Sequence, residues 1–205
     1  IRDTSVTGVQ TCALPIYKFF FKSENILQFR EFLTNRSAKK LYKKRVIKSL
    51  YFDNLNLEMY RDSIEGSVPR KKIRIRNYPK SEDKNFYLEI KTSSVEGRFK
   101  TRKIITNNEF EKFKRNGIFD TTYGTCLPNF YVSYEREYVK IDDVRISIDK
   151  NISYENFLTN SVFYDNNSIV ELKASINKNL DILTKDFPFQ KIRFSKYCFA
   201  VEKLN

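Results

Sequence analysis

Arg70-Lys71-Lys72-Ile73-Arg74-Ile75-Arg76-Asn77-Tyr78 is the stretch that decides how this chain folds. In an extended strand, successive side chains point to opposite faces. Lys72, Arg74 and Arg76 therefore share one face, and the two isoleucines between them share the other. A strand with cations along one face and aliphatic side chains along the other is suited to a polyanion on its charged side. The pattern predicts a strand that lines a basic site.

The same alternation returns in two later stretches. In residues 86–91 the side chains of Tyr87, Glu89 and Lys91 share a face, and residues 168–173 repeat the pattern around Glu171. Several strands of this kind indicate a barrel lined with charge rather than filled with hydrocarbon. We expect an α+β chain in which antiparallel strands dominate, with a few flanking helices.

The amino-acid composition limits the ligands and the kinds of catalytic and metal site that this chain can have. The formal net charge of +13 favours anionic partners such as nucleotides, polyphosphate, nucleic acid or an acidic membrane. The chain has no histidine, which excludes histidine bases, Ser-His-Asp triads and imidazole metal ligands. Any metal must then be held by carboxylates, which bind hard ions such as Mn²⁺ or Mg²⁺. Cys126 and Cys198 show no pairing pattern, which favours a reducing, cytoplasmic location, including the inner face of a membrane.

Residues 1–16 differ in character from the rest. The run Val6-Thr7-Gly8-Val9-Gln10-Thr11-Cys12-Ala13-Leu14-Pro15-Ile16 resembles a translated sequencing adapter, so we treat residues 1–16 as a non-native leader. Residues 17–205 are then expected to form a single domain that lacks the start of its first strand. The sequence leaves open the oligomeric state and a membrane-protein partner or fusion in the lost part.

Periodicity and turn residues predict the remaining elements. Predicted strands cover residues 17–21, 45–53, 71–78, 86–93, 98–105, 131–140, 144–149, 169–174 and 191–204. Predicted helical segments cover a helix capped by Ser23, residues 55–61, residues 107–116 and a turn at 181–186. Residues 37–44 are expected to be a basic connector.

Six short motifs, in this order, resemble the vacuolar transporter chaperone (VTC) type of polyphosphate polymerase domain, a member of the triphosphate tunnel metalloenzymes. They are Leu50-Tyr51-Phe52-Asp53, Tyr60-Arg61-Asp62-Ser63-Ile64-Glu65-Gly66, Lys72-Ile73-Arg74-Ile75-Arg76, Leu88-Glu89-Ile90-Lys91, Tyr134-Glu135-Arg136 and Phe194-Ser195-Lys196-Tyr197. The likeness covers about residues 18–204. It implies an antiparallel tunnel barrel that binds ATP with a divalent cation and builds inorganic polyphosphate. No specific nucleic acid is expected as a partner.

The resemblance also implies the residues of the site. The expected catalytic cations are Arg74, Arg76, Lys91 and Arg136. The expected phosphate-binding residues are Lys18, Lys72, Tyr134, Ser195 and Lys196, with either Lys100 or Lys103, and with either Arg61 or Ser63. Glu171 and Glu89 are the expected metal ligands.

One departure from the family pattern affects activity. The family's first strand carries a glutamate two residues before a lysine. If Lys18 is that lysine, Ile16 stands where the glutamate would be. The resemblance therefore leaves open whether this polypeptide is itself active.

The chemistry is compatible with the residues, and two other functions fit them too. Phosphoryl transfer needs alignment and charge neutralisation, which arginine and lysine supply. One alternative is a triphosphate hydrolase of the same fold. The other is a non-catalytic binder of polyphosphate or RNA, for which 18 phenylalanines, 13 tyrosines and the +13 charge are suited. Each charged strand taken alone would also fit a solvated sheet face with weak ion pairs.

Overall fold

The computed structural model describes residues 10–11, 16–22, 24–174 and 189–205. Its strands, in chain order, are β1 Gln10–Thr11, β2 Ile16–Phe21, β3 Lys39–Asp53, β4 Arg70–Asn77, β5 Phe86–Ser93, β6 Arg98–Ile105, β7 Ile118–Asp120, β8 Gly124–Ile141, β9 Val144–Asn156, β10 Val162–Asp165 and β11 Ser168–Lys173. Its helices are α1 Asn25–Asn35, α2 Glu58–Glu65, α3 Asn107–Asn116 and α4 Lys196–Leu204. The predictions for Ser23 and for residues 181–186 lie outside the described residues.

One antiparallel sheet dominates the fold. Its strand order is β1-β6-β5-β4-β3-β8-β9-β11-β2, and β10 and β7 pair with β9 and β8 outside this path. The prediction of an α+β fold built on antiparallel strands is thereby confirmed. No ladder between described residues joins the two ends of the order, so hydrogen bonding does not close the barrel there.

The sheet curves far enough for strands distant in this order to meet. Lys72 on β4 donates a hydrogen bond to the Ser195 hydroxyl at 2.9 Å. Lys18 on β2 donates a hydrogen bond at 2.7 Å to the carbonyl of Phe194, the residue before Ser195. Strands β4 and β2 therefore flank the same segment, and the sheet wraps around the start of α4. We call the side of the sheet that faces α4 the concave face.

Apolar clusters on both faces hold the sheet in this shape. On the outer face, α1 packs Phe29 against Phe19 and Phe21, and α3 packs Phe110 against the Phe86 ring at 4.2 Å. On the concave face, Tyr197 of α4 is buried in a separate cluster of aromatic and aliphatic side chains. The concave face therefore contains an apolar part under α4, and its polar part lies beside that cluster.

The prediction of a strand over residues 191–204 is wrong. Lys191 forms only an isolated bridge with Phe19, and residues Lys196–Leu204 form α4. The Ser195 hydroxyl starts this helix by accepting a hydrogen bond from the backbone N–H of Cys198 at 3.4 Å. Four of the nine residues of α4 are buried, and their spacing of one, three and four positions places them on one side of the helix, so the stretch has a helical period that the strand prediction overlooked.

The other differences concern the lengths of elements. Residues 37–44, expected to be a connector, already include the start of β3 at Lys39, which pairs with β8. Its exposed lysines lack the apolar alternation that marks a strand in sequence. Strands β8 and β9 are longer than predicted, β7 and β10 were not predicted, and α2 begins after Leu57, whose φ is +56°.

No helix among the described residues is both long enough and apolar enough to cross a membrane. Cys126 and Cys198 are buried free thiols.

Candidate active site

Strands β4 and β5 supply the first two rows of the site. Lys72, Arg74 and Arg76 of β4 lie opposite Lys91, Glu89 and Tyr87 of β5, respectively. Ile73 and Ile75 are 0% and 2% exposed in the cluster on the other face, which confirms the predicted alternation. The strand period thus places a row of three cations on the concave face, next to a row with one carboxylate.

Glu89 is the centre of the first charge cluster. Its carboxylate is 1% exposed and accepts hydrogen bonds from Arg74 Nε and Nη2 at 2.8 and 2.6 Å and from Lys100 Nζ at 2.6 Å. Arg76 Nη1 and Arg102 Nε lie at 3.9 and 3.8 Å from it. Burial alone would raise the pKa of Glu89, but Arg74, Arg76 and Lys100 outweigh burial and hold the pKa well below its usual range. Glu89 therefore stays ionised and orders the cations around it.

Asp149 plays the same part in a second cluster. Arg136 on β8 approaches both oxygens of the Asp149 carboxylate on β9, with Nη2 donating to Oδ2 at 2.7 Å, and Lys196 of α4 donates to Oδ2. Asp149 is 2% exposed. Burial would raise the pKa of this carboxyl, but Lys196 and Arg136 lower it. The ion pairs fix the two cations in place.

A third cluster links β2 and β11. Lys18 lies opposite Glu171 in the ladder, and Lys173 Nζ lies 2.8 Å from Glu171 Oε1. Burial would raise the pKa of Glu171, yet Lys173 and Lys18 hold it well below its usual range. Burial lowers the pKa of Lys18 to about 8, with Lys196 and Lys72 adding to the effect and Glu171 opposing it. Glu171 is therefore an anion beside a lysine that can lose its proton near neutral pH.

Tyrosines and a serine connect the arginines to the sheet. Arg74 Nη1 donates to the Tyr51 hydroxyl at 2.9 Å, and Arg76 donates to the Tyr134 hydroxyl at 3.0 Å and to the Ser49 hydroxyl at 3.1 Å. Burial would raise the pKa of Tyr51, but Arg74 and Arg76 lower it overall. Both guanidiniums are thus held in one orientation before any ligand is present.

Lys91 differs from the other cations of the site. Among the described residues, no hydrogen-bond acceptor or carboxylate pairs with its ammonium, and the residue is exposed. Its pKa lies well below the ordinary value, chiefly because of the charge of Arg74, with Glu171 and Glu89 acting in the opposite direction. An exposed lysine surrounded by cations, without a partner of its own, is suited to an anionic ligand.

Lys103 and Arg61 lie outside these clusters. Lys103 points away from the concave face of β6 and lies 3.4 Å from Glu109 of α3, whereas Lys100 binds Glu89. Arg61 is exposed on α2. The Ser63 hydroxyl is buried without a hydrogen-bond partner. The sequence left open Lys100 or Lys103, and Arg61 or Ser63. Of these four residues only Lys100 belongs to a charge cluster, that of Glu89.

Sequence reasoning missed Tyr51, Asp149 and Arg102. A signal for Asp149 was present, because residues 144–149 alternate between aliphatic and polar side chains. That alternation places Ser147 and Asp149 on one face, opposite the buried Ile146 and Ile148. Arg102 and Lys100 likewise share a face of β6. What sequence lacks is the partner of each charge, since Asp149 pairs with cations from β8 and α4.

The fit of a divalent cation depends on the carboxylates. No three cysteine or acidic side chains of the described residues group closely enough to hold a metal. Glu89 is less suited as a ligand than Glu171, because both of its oxygens already accept hydrogen bonds from Arg74 and Lys100. Oε1 of Glu171 lies 2.8 Å from Lys173 Nζ, and the lowered pKa of this carboxyl keeps it ionised. These residues fit a metal held by Glu171 together with substrate phosphates, as Mg²⁺ commonly is.

Phosphate binding is expected to weaken as the pH rises above about 8. Below that pH Lys18 is charged, and above it the lysine loses the charge that attracts phosphate, because its pKa in the folded chain is about 8. Calorimetric titration of tripolyphosphate across this range tests the expectation. Lys18→Met should bind more weakly and show a smaller pH-dependent change. Identical profiles for the two chains would contradict it.

Comparison with solved structures reveals the same fold in several proteins. A candidate adenylate cyclase from Bacillus halodurans matches with a TM-score of 0.61 and 10% identity, over 92% of this chain and 96% of that one. A candidate adenylyl cyclase from Hippeastrum, described as having a dominant triphosphatase activity, matches with a TM-score of 0.56 and 14% identity, over 91% and 94%. A chain of the Schizosaccharomyces pombe Mediator head module matches with a TM-score of 0.52 and 10% identity, over 88% of this chain and 98% of that one. At these identities the likeness establishes the fold alone.

Sequence comparison adds a family. The family model described as VTC domain matches residues 16–205, which is nearly the whole chain. A comparison with curated protein sequences found no significant match.

Proposed function

Because this chain belongs to the VTC domain family, we propose that it transfers phosphoryl groups from ATP to a growing inorganic polyphosphate chain. The observation that carries the proposal is the surplus of positive charge on the concave face. Three carboxylates of the charge clusters, Glu89, Asp149 and Glu171, each already face at least two cations. Further cations remain without a carboxylate, Lys91 and Lys72 among them. A bound triphosphate would neutralise this excess.

The reaction asks the protein for alignment rather than covalent chemistry. A terminal oxygen of the phosphate chain, already ionised, attacks the γ-phosphorus of ATP. The new P–O bond forms as the bond to the β-phosphate oxygen breaks, and ADP leaves with that electron pair. No proton has to be removed from the nucleophile, so the absence of histidine is no obstacle.

The fixed arginines are suited to the phosphates at the reacting centre. Arg74 and Arg76 are held by Glu89, Tyr51 and Tyr134, so their guanidiniums need no reorganisation when charge shifts from one oxygen to the next. Arginine presents a planar pair of N–H donors that matches two phosphate oxygens. We assign Arg74 and Arg76 to the transferred phosphoryl group.

The lysines and the start of α4 are suited to the rest of the triphosphate. Lys72 and Ser195 lie within hydrogen-bond distance of each other, and Lys196 and Arg136 share Asp149. Lys91 and Lys100 lie opposite each other on β5 and β6. We assign these residues, with Lys18 and Tyr134, to phosphate binding, and we exclude Lys103 because it contacts α3.

A divalent metal belongs to the proposal as a partner of the substrate. Mn²⁺ or Mg²⁺, when bound, would neutralise phosphate charge and polarise phosphorus. Glu171 is the residue suited to hold it beside the phosphates. We also propose a cytoplasmic location, which the free buried thiols Cys126 and Cys198 support.

Hydrolysis of triphosphate is the second candidate function. It would use the same cations, with water in place of the phosphate chain as nucleophile. The likeness to the Hippeastrum protein, described as having a dominant triphosphatase activity, favours testing it. A non-catalytic binder of polyphosphate or RNA is the remaining alternative, for which the net charge of +13 is suited.

Product analysis from ATP and Mn²⁺ tests the function. We expect a polymer of many phosphates on a gel, and at least about 100-fold less from Glu171→Gln, because the neutral amide cannot hold the metal. Glu111→Gln removes the same charge from the exposed face of α3 and should match the unaltered chain. The thermal midpoint of each variant shows whether it is folded.

Other outcomes select other functions. Orthophosphate without polymer would favour the hydrolase. Binding of tripolyphosphate with no turnover of ATP, in this chain and in a variant with a restored first-strand glutamate, would favour the binder. Equal polymer formation by the unaltered chain and by Glu171→Gln would remove Glu171 from the proposal.

A further inference from the structure

A row of arginines and tyrosines lies at one end of the concave face, on β8, β3, β5 and β6 and on the residue that follows β4. We call it the rim, and it consists of Tyr138, Arg45, Tyr78, Tyr87 and Arg102. The Arg45 guanidinium lies 5.0 Å from the ring centres of both Tyr78 and Tyr138. The rings of Tyr78 and Tyr87 are 5.9 Å apart, and the Arg102 guanidinium lies 3.7 Å from the Tyr87 ring centre. Each residue of the rim thus contacts the next.

The rim continues the rows of the candidate active site. Tyr78 follows Arg76 by two residues, and Tyr87 lies opposite Arg76 in the ladder between β4 and β5. Arg45 lies opposite Arg136 in the ladder between β3 and β8. A linear ligand that touches Arg76 and Arg136 and extends along the strands in this direction would reach the rim next.

Burial decides what the rim can offer to a ligand. Tyr78, Tyr87 and Tyr138 are each only 9% exposed, so little ring surface is left on which a nucleobase could stack. Arg45 is exposed, although two rings hold it. Its Nε donates to the Tyr138 hydroxyl at 3.1 Å. The outer N–H groups of a fixed guanidinium remain, and these suit phosphate oxygens.

The charges of the rim are incompletely balanced. Arg45 forms no ion pair with a carboxylate of the described residues. Arg102 Nε is buried without a hydrogen-bond partner and lies 3.8 Å from Glu89, whose oxygens already accept from Arg74 and Lys100. Burying an unpaired donor costs free energy unless a ligand satisfies it. The rest of the Arg102 side chain, which is 40% exposed, can present its remaining N–H groups to an anion at the rim.

We propose that the rim is a second phosphate subsite, in which Arg45 and Arg102 hold the part of a polyphosphate chain that extends beyond a triphosphate. The choice of polyphosphate as ligand rests on the proposed function. The tyrosines act as positioning residues that keep the two guanidiniums in place. The rim then gives the site a preference for long chains that the central cations alone would not give.

Binding measurements on the full chain test the subsite without requiring turnover. Arg45→Gln should weaken binding of long-chain polyphosphate about tenfold, since it removes charged hydrogen bonds, and should change tripolyphosphate binding less than about twofold. Arg115→Gln, at an exposed arginine of α3, removes the same charge elsewhere and should leave both affinities unchanged. Arg45→Lys keeps the charge without the planar fork and should be intermediate.

Each contrary result has a definite meaning. Equal weakening of both phosphate ligands by Arg45→Gln, or the same effect from Arg115→Gln, would overturn the subsite. Weakened binding of ATP alone would assign the rim to the nucleotide and overturn it too. A preference for long chains that depends on Arg45 in a protein without ATP turnover would support the subsite and count against the proposed polymerase.

Discussion

Replacing Lys91 with methionine should lower ATP turnover by about 100- to 1,000-fold without lowering the thermal midpoint. A loss of this size is expected when a charge that stabilises the phosphates in the transition state is removed. The fold should tolerate the change, because the described residues give the Lys91 ammonium no hydrogen bond or ion pair. Its charge lies near that of Arg74, and this repulsion disappears in the variant.

Arg76→Met is the matched comparison for Lys91→Met. It removes a cation from the opposing β4 row, but Arg76 is 7% exposed and donates to Ser49 and Tyr134. Arg76→Met should therefore lose both activity and thermal stability. Turnover and melting curves of the two variants, measured side by side, separate a binding role from a structural one. A similar fall in the melting temperature of both would argue against Lys91 as a ligand-binding cation.

A glutamate in place of Ile16 should increase metal-dependent turnover at least about tenfold. Ile16 lies on β2 opposite Lys173, two residues before Lys18, so the new carboxylate would share a face with Lys18. The new carboxylate would lie near the Glu171–Lys173 ion pair and would be a second acidic ligand for Mn²⁺. Two carboxylates hold this ion more firmly than one. The opposite charge of Lys173 should help the strand to accept it.

Ile16→Gln is the control for this gain. Glutamine has nearly the same shape as glutamate but carries no charge. Ile16→Gln should therefore leave turnover and Mn²⁺ affinity close to those of the unaltered chain. Mn²⁺ binding, measured by the loss of the free-ion electron paramagnetic resonance signal, gives a readout that does not depend on turnover. Equal behaviour of the two variants would show that residue 16 does not contribute to a metal site.

Local patterns were sufficient for the strands that carry the site. The alternation in residues 70–78 predicted both the orientation of Arg74 and Arg76 and the burial of Ile73 and Ile75. This works because a strand with one buried face has a side-chain period of two, which sequence shows directly. The family resemblance then added Ser195 and Lys196 as expected phosphate ligands, although the same residues were predicted to lie in a strand rather than at the start of α4.

Partners distant in sequence could not be predicted in the same way. The resemblance makes Glu89 an expected metal ligand, but the hydrogen bonds that it accepts from Arg74 and Lys100 are visible only in the curved sheet. The rim has the same origin, since Arg45 meets Tyr78 and Tyr138 from strands that no local pattern connects. Such pairs depend on register and curvature, which arise from the packing of the whole sheet.

The contact between Lys18 and Phe194 also determines when the site can exist during synthesis. The two residues are separated by 176 positions, and Lys196 follows only two positions later. At about 5–20 residues per second, a ribosome needs roughly 10–35 s to travel between them. Throughout that interval the nascent chain exposes basic strands whose anionic ligand cannot yet be enclosed. A chain that stops before residue 194 would keep most of the sheet but remain an exposed polycation. It would bind RNA and other polyanions near the ribosome nonspecifically.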